Sequence, residues 1–139
     1  MGIAVIDFGG QYAHLIANRI RRLQVFAEIR PPTSSPEDLA DADGLILSGG
    51  PSSVYAHDQP RYNPEILHLD KPILGLCYGH QLLCQQFGGV VSPGDTMEFG
   101  AADLQVNRAA GVLAGLQEHE PIWMSHRDAV TALPPEFEG

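Results

Sequence analysis

Short apolar runs alternate with amphipathic or polar stretches over the first part of the chain. Ile3 to Asp7 is an almost unbroken apolar run, the pattern of a buried strand. Tyr12, Leu15, Ile16, Ile20 and Leu23 then recur at helical spacing, with Arg19, Arg21 and Arg22 mostly on the other side. Val25 to Ile29 reads as a second strand and Pro36 to Ala40 as a single helical turn. Gly44 to Leu47 is a third buried strand, closed by Ser48-Gly49-Gly50-Pro51. Pro64 to Leu69 reads as helical, Ile73 to Leu76 as a fourth strand, and Gln81 to Phe87 as the helix that follows it. Near-continuous apolar strands alternating with helices predict an α/β fold, a mostly parallel open sheet with helices on both faces.

The pattern changes at Gly88. Beyond it lie short extended pieces: Val90-Val91, Ala102 to Val106, Ile122-Trp123-Met124 and Ala129 to Leu133. They are expected to add antiparallel strands at one edge of the sheet. A single domain over residues 1–139 is the expectation for this length, which suffices for a core without disulfides.

Composition narrows the function classes. The chain is 44% hydrophobic and 18% charged, ordinary values for a globular protein. A net charge of −9 leaves no basic footprint for nucleic acid. No apolar run is long enough for a membrane span, and no basic signal-peptide region precedes the first strand. Two cysteines, Cys77 and Cys84, make no disulfide framework, and a cytoplasmic location that keeps a thiol free is expected.

Cys77 carries the most specific signal. The run Ile73-Leu74-Gly75-Leu76-Cys77-Tyr78-Gly79-His80-Gln81 reads as strand, sharp turn and helix, with the cysteine between two glycines. This is the cysteine form of a nucleophile elbow, and the positive end of the helix favours thiolate. The competing reading is a structural cysteine near a helix start. A thiolate at an elbow suits acyl transfer, which needs an oxyanion hole. The Tyr78 N–H, just after the nucleophile, and the Gly50 N–H, in the glycine loop, are the candidates; Ser48 to Pro51 also reads as a plain turn. Parallel sheets place function at the carboxyl ends of their strands, where Asp7 to Gln11, Ser48 to Pro51 and Cys77 to Gly79 all fall by this reading.

A thiol nucleophile also needs a base. Of the six histidines, His14 and His68 read as surface residues, and His57 and His119 as loop residues. His80 is expected to point away from the elbow. His126, after a strand in Trp123-Met124-Ser125-His126-Arg127-Asp128, is the one that could reach the site, and it reads equally well as a structural histidine. The Cys77–His80 spacing without a second ligand pair is weak as a metal motif. Cys84 is expected in the core.

These motifs together resemble the class I (triad type) glutamine amidotransferases, and within them the amidotransferase portion of GMP synthases. Asp7-Phe8-Gly9-Gly10-Gln11-Tyr12 resembles DFGSQY, with Gly10 in place of Ser. Leu47 to Tyr55 resembles LSGGP-x-SVY, and Gly75 to Gln81 resembles G-x-CYGMQ with His80 in place of Met. Met97 to Gly100 resembles REYG with Met97 in place of Arg, and Trp123 to Asp128 resembles WMSHGD with Arg127 in place of Gly. The resemblance runs from end to end of the chain.

It implies a flavodoxin-like core and Cys77 as the nucleophile that attacks the side-chain amide of glutamine. It implies an oxyanion hole from Gly50 and Tyr78, and Gln81, Ser125 and His126 around the substrate. It implies no cofactor or metal in this domain. ATP and Mg²⁺ are expected only in a synthetase partner, whether domain or separate chain, that receives the ammonia. The His-Pro-Glu motif that completes the family triad does not occur in the 139 residues. That implies a domain incomplete at its C-terminus, inactive by itself, or alternatively a non-catalytic module that binds glutamine or a partner. Arg127 in place of Gly is expected to strain its turn or alter substrate approach.

Overall fold

The four apolar runs of the first half become four parallel strands: β1 (Ile3–Ile6), β2 (Ala27–Arg30), β3 (Gly44–Leu47) and β4 (Ile73–Gly75). The computed structural model describes residues 2–54 and 57–139, and among these the side chains of 95–98 are not described. Tyr55, the end of the Ser-Val-Tyr stretch, lies outside the described residues, as do the side chains of Met97 and Glu98. The strand order is β2-β1-β3-β4, all parallel, as in a flavodoxin-like sheet.

Two helices cover opposite faces because successive strand residues point to opposite sides. On one face, Val5 and Ala27 pack with Ala13 and Ala17 of α1 (Ala13–Arg22). On the other, Ala4, Ile6, Leu45 and Leu47 pack with Tyr78 and Leu82 of α2 (Tyr78–Gln86). Short 3-10 turns at Glu37–Leu39 and Pro64–His68 bring Leu39, Ile66 and Leu67 into this second cluster. Cys84 is buried, as expected for a core residue.

The inward face of α1 differs from the expected stripe. Ala13 and Ala17 are buried and Ile16 and Ile20 half-buried, whereas Tyr12, Leu15 and Leu23 are exposed. Small alanines let the helix lie close on β1 and β2, which rotates the larger apolar residues at its flanks outward. Arg21 folds back on this helix's exit and donates from Nε to the Ala27 carbonyl at 2.9 Å, tying the end of α1 to the start of β2.

The extended pieces after Gly88 do not extend the parallel sheet. They join into two long strands, β5 (Val90–Gln105) and β6 (His119–Ala132), that pair antiparallel as a separate two-stranded sheet. The pieces look short and separate in the sequence because polar residues interrupt them; along β6 exposed and half-buried positions alternate strictly from His119 to Arg127, with Trp123 among the exposed. The register breaks between Pro93 and Glu98: Asp128 pairs with Pro93, and His126 with Glu98, so only Arg127 stands opposite the widened stretch of β5. At that break β6 meets α2, where Gln81 Nε2 donates to the Asp128 carbonyl at 3.1 Å.

Candidate active site

The strand registers align the three special loops. Ile6 pairs with Leu47, and Leu47 with Gly75, so β1, β3 and β4 end at one level. The loops that follow, beginning at Asp7, Ser48 and Leu76, therefore share one rim of the sheet, as the sequence pattern predicts.

Cys77 sits on this rim, exposed, as the residue before α2, with φ 51° and ψ −114°. That backbone region is rare for a residue with a Cβ and costs on the order of 1–3 kcal/mol. It persists because the structure on both sides fixes it. Leu76 N–H donates to the Leu47 carbonyl at 2.9 Å, and Gly79 N–H and Gln81 N–H donate back to Leu76 and Cys77 carbonyls. Glycine at 77 is accordingly expected to raise the unfolding free energy by about 1 kcal/mol while removing the thiol. Urea titration of wild type and Cys77→Gly measures this; an unchanged or lowered midpoint would mean the turn is unstrained.

The flanking glycines allow close backbone contacts around the elbow. A Cβ on Gly75 would lie 2.7 Å from the His80 backbone, and one on Gly79 would lie 2.4 Å from the Leu47 carbonyl oxygen. Their absence lets the first turn of α2 press directly onto β4 and β3. Tyr78, almost fully buried, packs its ring on Phe8 with centroids 5.2 Å apart, fixing the elbow from beneath.

One cavity of about 430 Å³ collects the candidate residues: Gly50, Cys77, Tyr78, Gln81, Ser125 and His126 all line it, as do Ser53, Arg127 and Asp128. The Gly50 and Tyr78 N–H groups donate to no described acceptor. Asp128 joins the walls. Its carboxylate accepts from the Ser53 hydroxyl of the glycine loop. Its carbonyl accepts both from Gln81 Nε2 on α2 and from His126 Nδ1 on its own strand, at 2.8 Å. A carbonyl can only accept, so Nδ1 of His126 carries the proton. In the sequence Asp128 stands out only as part of a motif. The signal for its bridging role is long-range, since Ser53 lies 75 residues away.

His80 is not among the walls of that cavity; it lines a neighbouring one of about 350 Å³ together with Cys77, Trp123 and His126. Burial first, and the nearby His126 second, hold its imidazole below the usual histidine value. The unfolded chain then binds a proton more readily than the folded one. Stability from this source is present above about pH 6.5 and is lost as pH falls through that value toward the lowered one. The loss is small because His80 is exposed to solvent. His80→Met is expected to flatten the fall in urea midpoint between pH 7.5 and pH 5.5; an unchanged slope would assign that pH dependence to other groups.

Among the described residues no group of three or more His, Cys, Asp or Glu could hold a metal ion, and no helix is long and apolar enough to cross a membrane. His119 is exposed and pairs with Asp103 at 2.6 Å on the far part of the β5–β6 arm.

The family model for class I glutamine amidotransferases matches residues 4–139. The chain belongs to that family. It is 46% identical over 138 residues to a glutamine-hydrolysing GMP synthase of Trichormus variabilis and 47% identical over 139 residues to one of Mycobacterium tuberculosis. Each match covers 98% of this chain and 26% of the relative, so the chain spans about a quarter of those proteins. Among solved structures, a protein from Thermoplasma acidophilum described as a component of GMP synthase superposes with a TM-score of 0.79 at 30% identity, over 96% of this chain and 68% of that one. A glutamine amidotransferase of Thermotoga maritima shares the fold, with a TM-score of 0.70 at 19% identity. The class I amidotransferase therefore shows its parallel core and antiparallel arm within these residues.

Proposed function

We propose that this domain hydrolyses glutamine through a Cys77 thioester and that the released ammonia converts XMP to GMP on a synthetase partner, fused or separate. The observation that carries the reading is the elbow. A cysteine in a strained backbone state opens into a cavity lined by Gly50 and Tyr78, whose N–H groups donate to no described acceptor, and by the β6 segment Ser125–Asp128. Family membership and the GMP synthase relatives support the substrate and the partner.

In this reading the Cys77 sulfur adds to the side-chain amide carbon of glutamine. The carbonyl electron pair moves to oxygen, and the Gly50 and Tyr78 N–H groups hold the resulting oxyanion. Collapse expels the amide nitrogen as ammonia, with the proton the thiol gave up, and leaves a γ-glutamyl thioester. Water then adds, glutamate leaves and the thiol is restored. Gln81, Ser125 and His126 lie around the glutamine substrate, the last two mostly through backbone contacts. Gln81 acts partly by holding the Asp128 carbonyl. The family pattern assigns the base to a His-Pro-Glu motif outside residues 1–139. ATP and Mg²⁺ belong to the synthetase partner.

The test follows the nitrogen. The intact protein, together with its synthetase partner where that is a separate chain, is given glutamine labelled at its amide nitrogen, with XMP, ATP and Mg²⁺. Label in the amino group of GMP is expected. Glutamate without labelled GMP would assign the ammonia to another acceptor. Bound glutamine with no glutamate formed would make the domain a binding module.

A further inference from the structure

Ser48, the last residue before the glycine loop, is only 1% exposed and hydrogen-bonded in two directions. Its Oγ accepts from the Phe8 N–H at 3.1 Å and donates to the Gly49 carbonyl at 3.1 Å. The hydroxyl thus joins the loop after β1 to the peptide between Gly49 and Gly50. Among the described residues there is no cis peptide bond, so the Gly50 N–H points opposite to the Gly49 oxygen. That oxygen lies against Gly10, where a Cβ would fall 2.3 Å from it. Gly10 is not a wall of the Cys77 cavity, whereas Gly50 is. The peptide also begins beside the nucleophile: a Cβ on Gly49 would lie 3.2 Å from Cys77 Cβ and 3.8 Å from its Sγ.

We propose that Ser48 is a positioning residue whose hydroxyl fixes the Gly49–Gly50 peptide with the Gly50 N–H toward the oxygen of a carbonyl attacked by Cys77. The proposal rests on Cys77 being the nucleophile of the proposed function. With a Cβ at residue 10 the Gly49 oxygen could not stay in place, so the clamp needs glycine at residue 10 as well as Ser48.

Glutarate semialdehyde is the probe. It has no amino group and so does not cyclise to an imine. Cys77 adds to its aldehyde reversibly: the carbon–sulfur bond forms, the carbonyl pair moves to oxygen, and the thiol proton is transferred to that oxygen or to solvent. The affinity therefore reports on whatever holds that oxygen, and needs no base outside residues 1–139. Wild type is expected to bind the probe, with Cys77→Ala abolishing binding. Ser48→Ala is expected to weaken it at least tenfold, while the rate of Cys77 alkylation by iodoacetamide, which develops no such oxygen charge, changes less than twofold. Ser48→Thr, which keeps the hydroxyl, restores the affinity. In a Gly10→Ser background, Ser48→Ala has less than a twofold effect, because the carbonyl has already left the hydroxyl. If wild type forms no Cys77 adduct, the proposed function itself fails. If wild type binds and Ser48→Ala binds equally well, or if the alanine effect is undiminished in the Gly10→Ser background, the positioning role of Ser48 is overturned.

Discussion

Replacing Cys77 by alanine is expected to lower glutamine hydrolysis by the intact protein at least about 10⁴-fold, because a covalent route has no substitute once its nucleophile is gone. The oxyanion donors and the cavity would remain, since Cys77 is exposed and its side chain contributes nothing to the two core clusters. Glutamine binding should therefore survive. So should synthesis fed by ammonium salts, which bypasses the thioester. The measurement is glutamate release alongside product formed from glutamine and from ammonium. Loss of the glutamine-dependent rate alone is the expected split. Loss of both would mean the substitution damaged the fold, and retention of both would remove Cys77 from the chemistry. Cys84 is the internal control: buried in α2, with burial raising its thiol above the usual value, it cannot stand in.

Gly79→Ala should be the most destabilising single-methyl change in the elbow, at about 3 kcal/mol. The sign is what makes it informative. Gly79 lies in the first turn of α2, and alanine in place of an exposed helical glycine stabilises by about 1 kcal/mol. Here the added carbon would sit 2.4 Å from the Leu47 carbonyl oxygen and 2.5 Å from its Cβ. Both belong to β3, a buried strand paired on both sides, so neither can yield cheaply. Gly88→Ala separates this effect from backbone preference. Gly88 has φ +97° but its nearest neighbour to a new Cβ is 3.8 Å away, so it should cost only about 1 kcal/mol. Urea denaturation of the three proteins decides: Gly79→Ala well below Gly88→Ala supports direct helix-on-strand contact, and Gly79→Ala at or above wild type contradicts it.

What can be read from the chain follows how local each signal is. The run Gly44–Leu47 marks its strand to the residue, because an unbroken apolar stretch between polar turns has few other solutions. Cys77 between Gly75 and Gly79 marks the elbow for the same reason: a tight turn constrains its own residue types. The α1 stripe is legible only to within a rotation, since Ala13 and Ala17 carry little hydropathy yet set how closely the helix can approach. The β5–β6 arm reads as separate pieces because its pairing is between residues far apart in sequence, Gln105 with His119 at one end and Val90 with Ala132 at the other. Asp128 escapes a reading of the sequence for a related reason. Its role depends on the glycine loop meeting β6, and no spacing along the chain encodes that meeting.

The most direct measurement is covalent. An electrophilic glutamine analogue is incubated with the chain, with and without free glutamine, and the modified residue is located by mass spectrometry of the peptides. One label per chain at Cys77 is expected, with Cys84 unmodified and the labelling suppressed by glutamine. Labelling of Cys77 that is indifferent to glutamine, or no labelling there at all, would contradict Cys77 as a glutamine-attacking nucleophile.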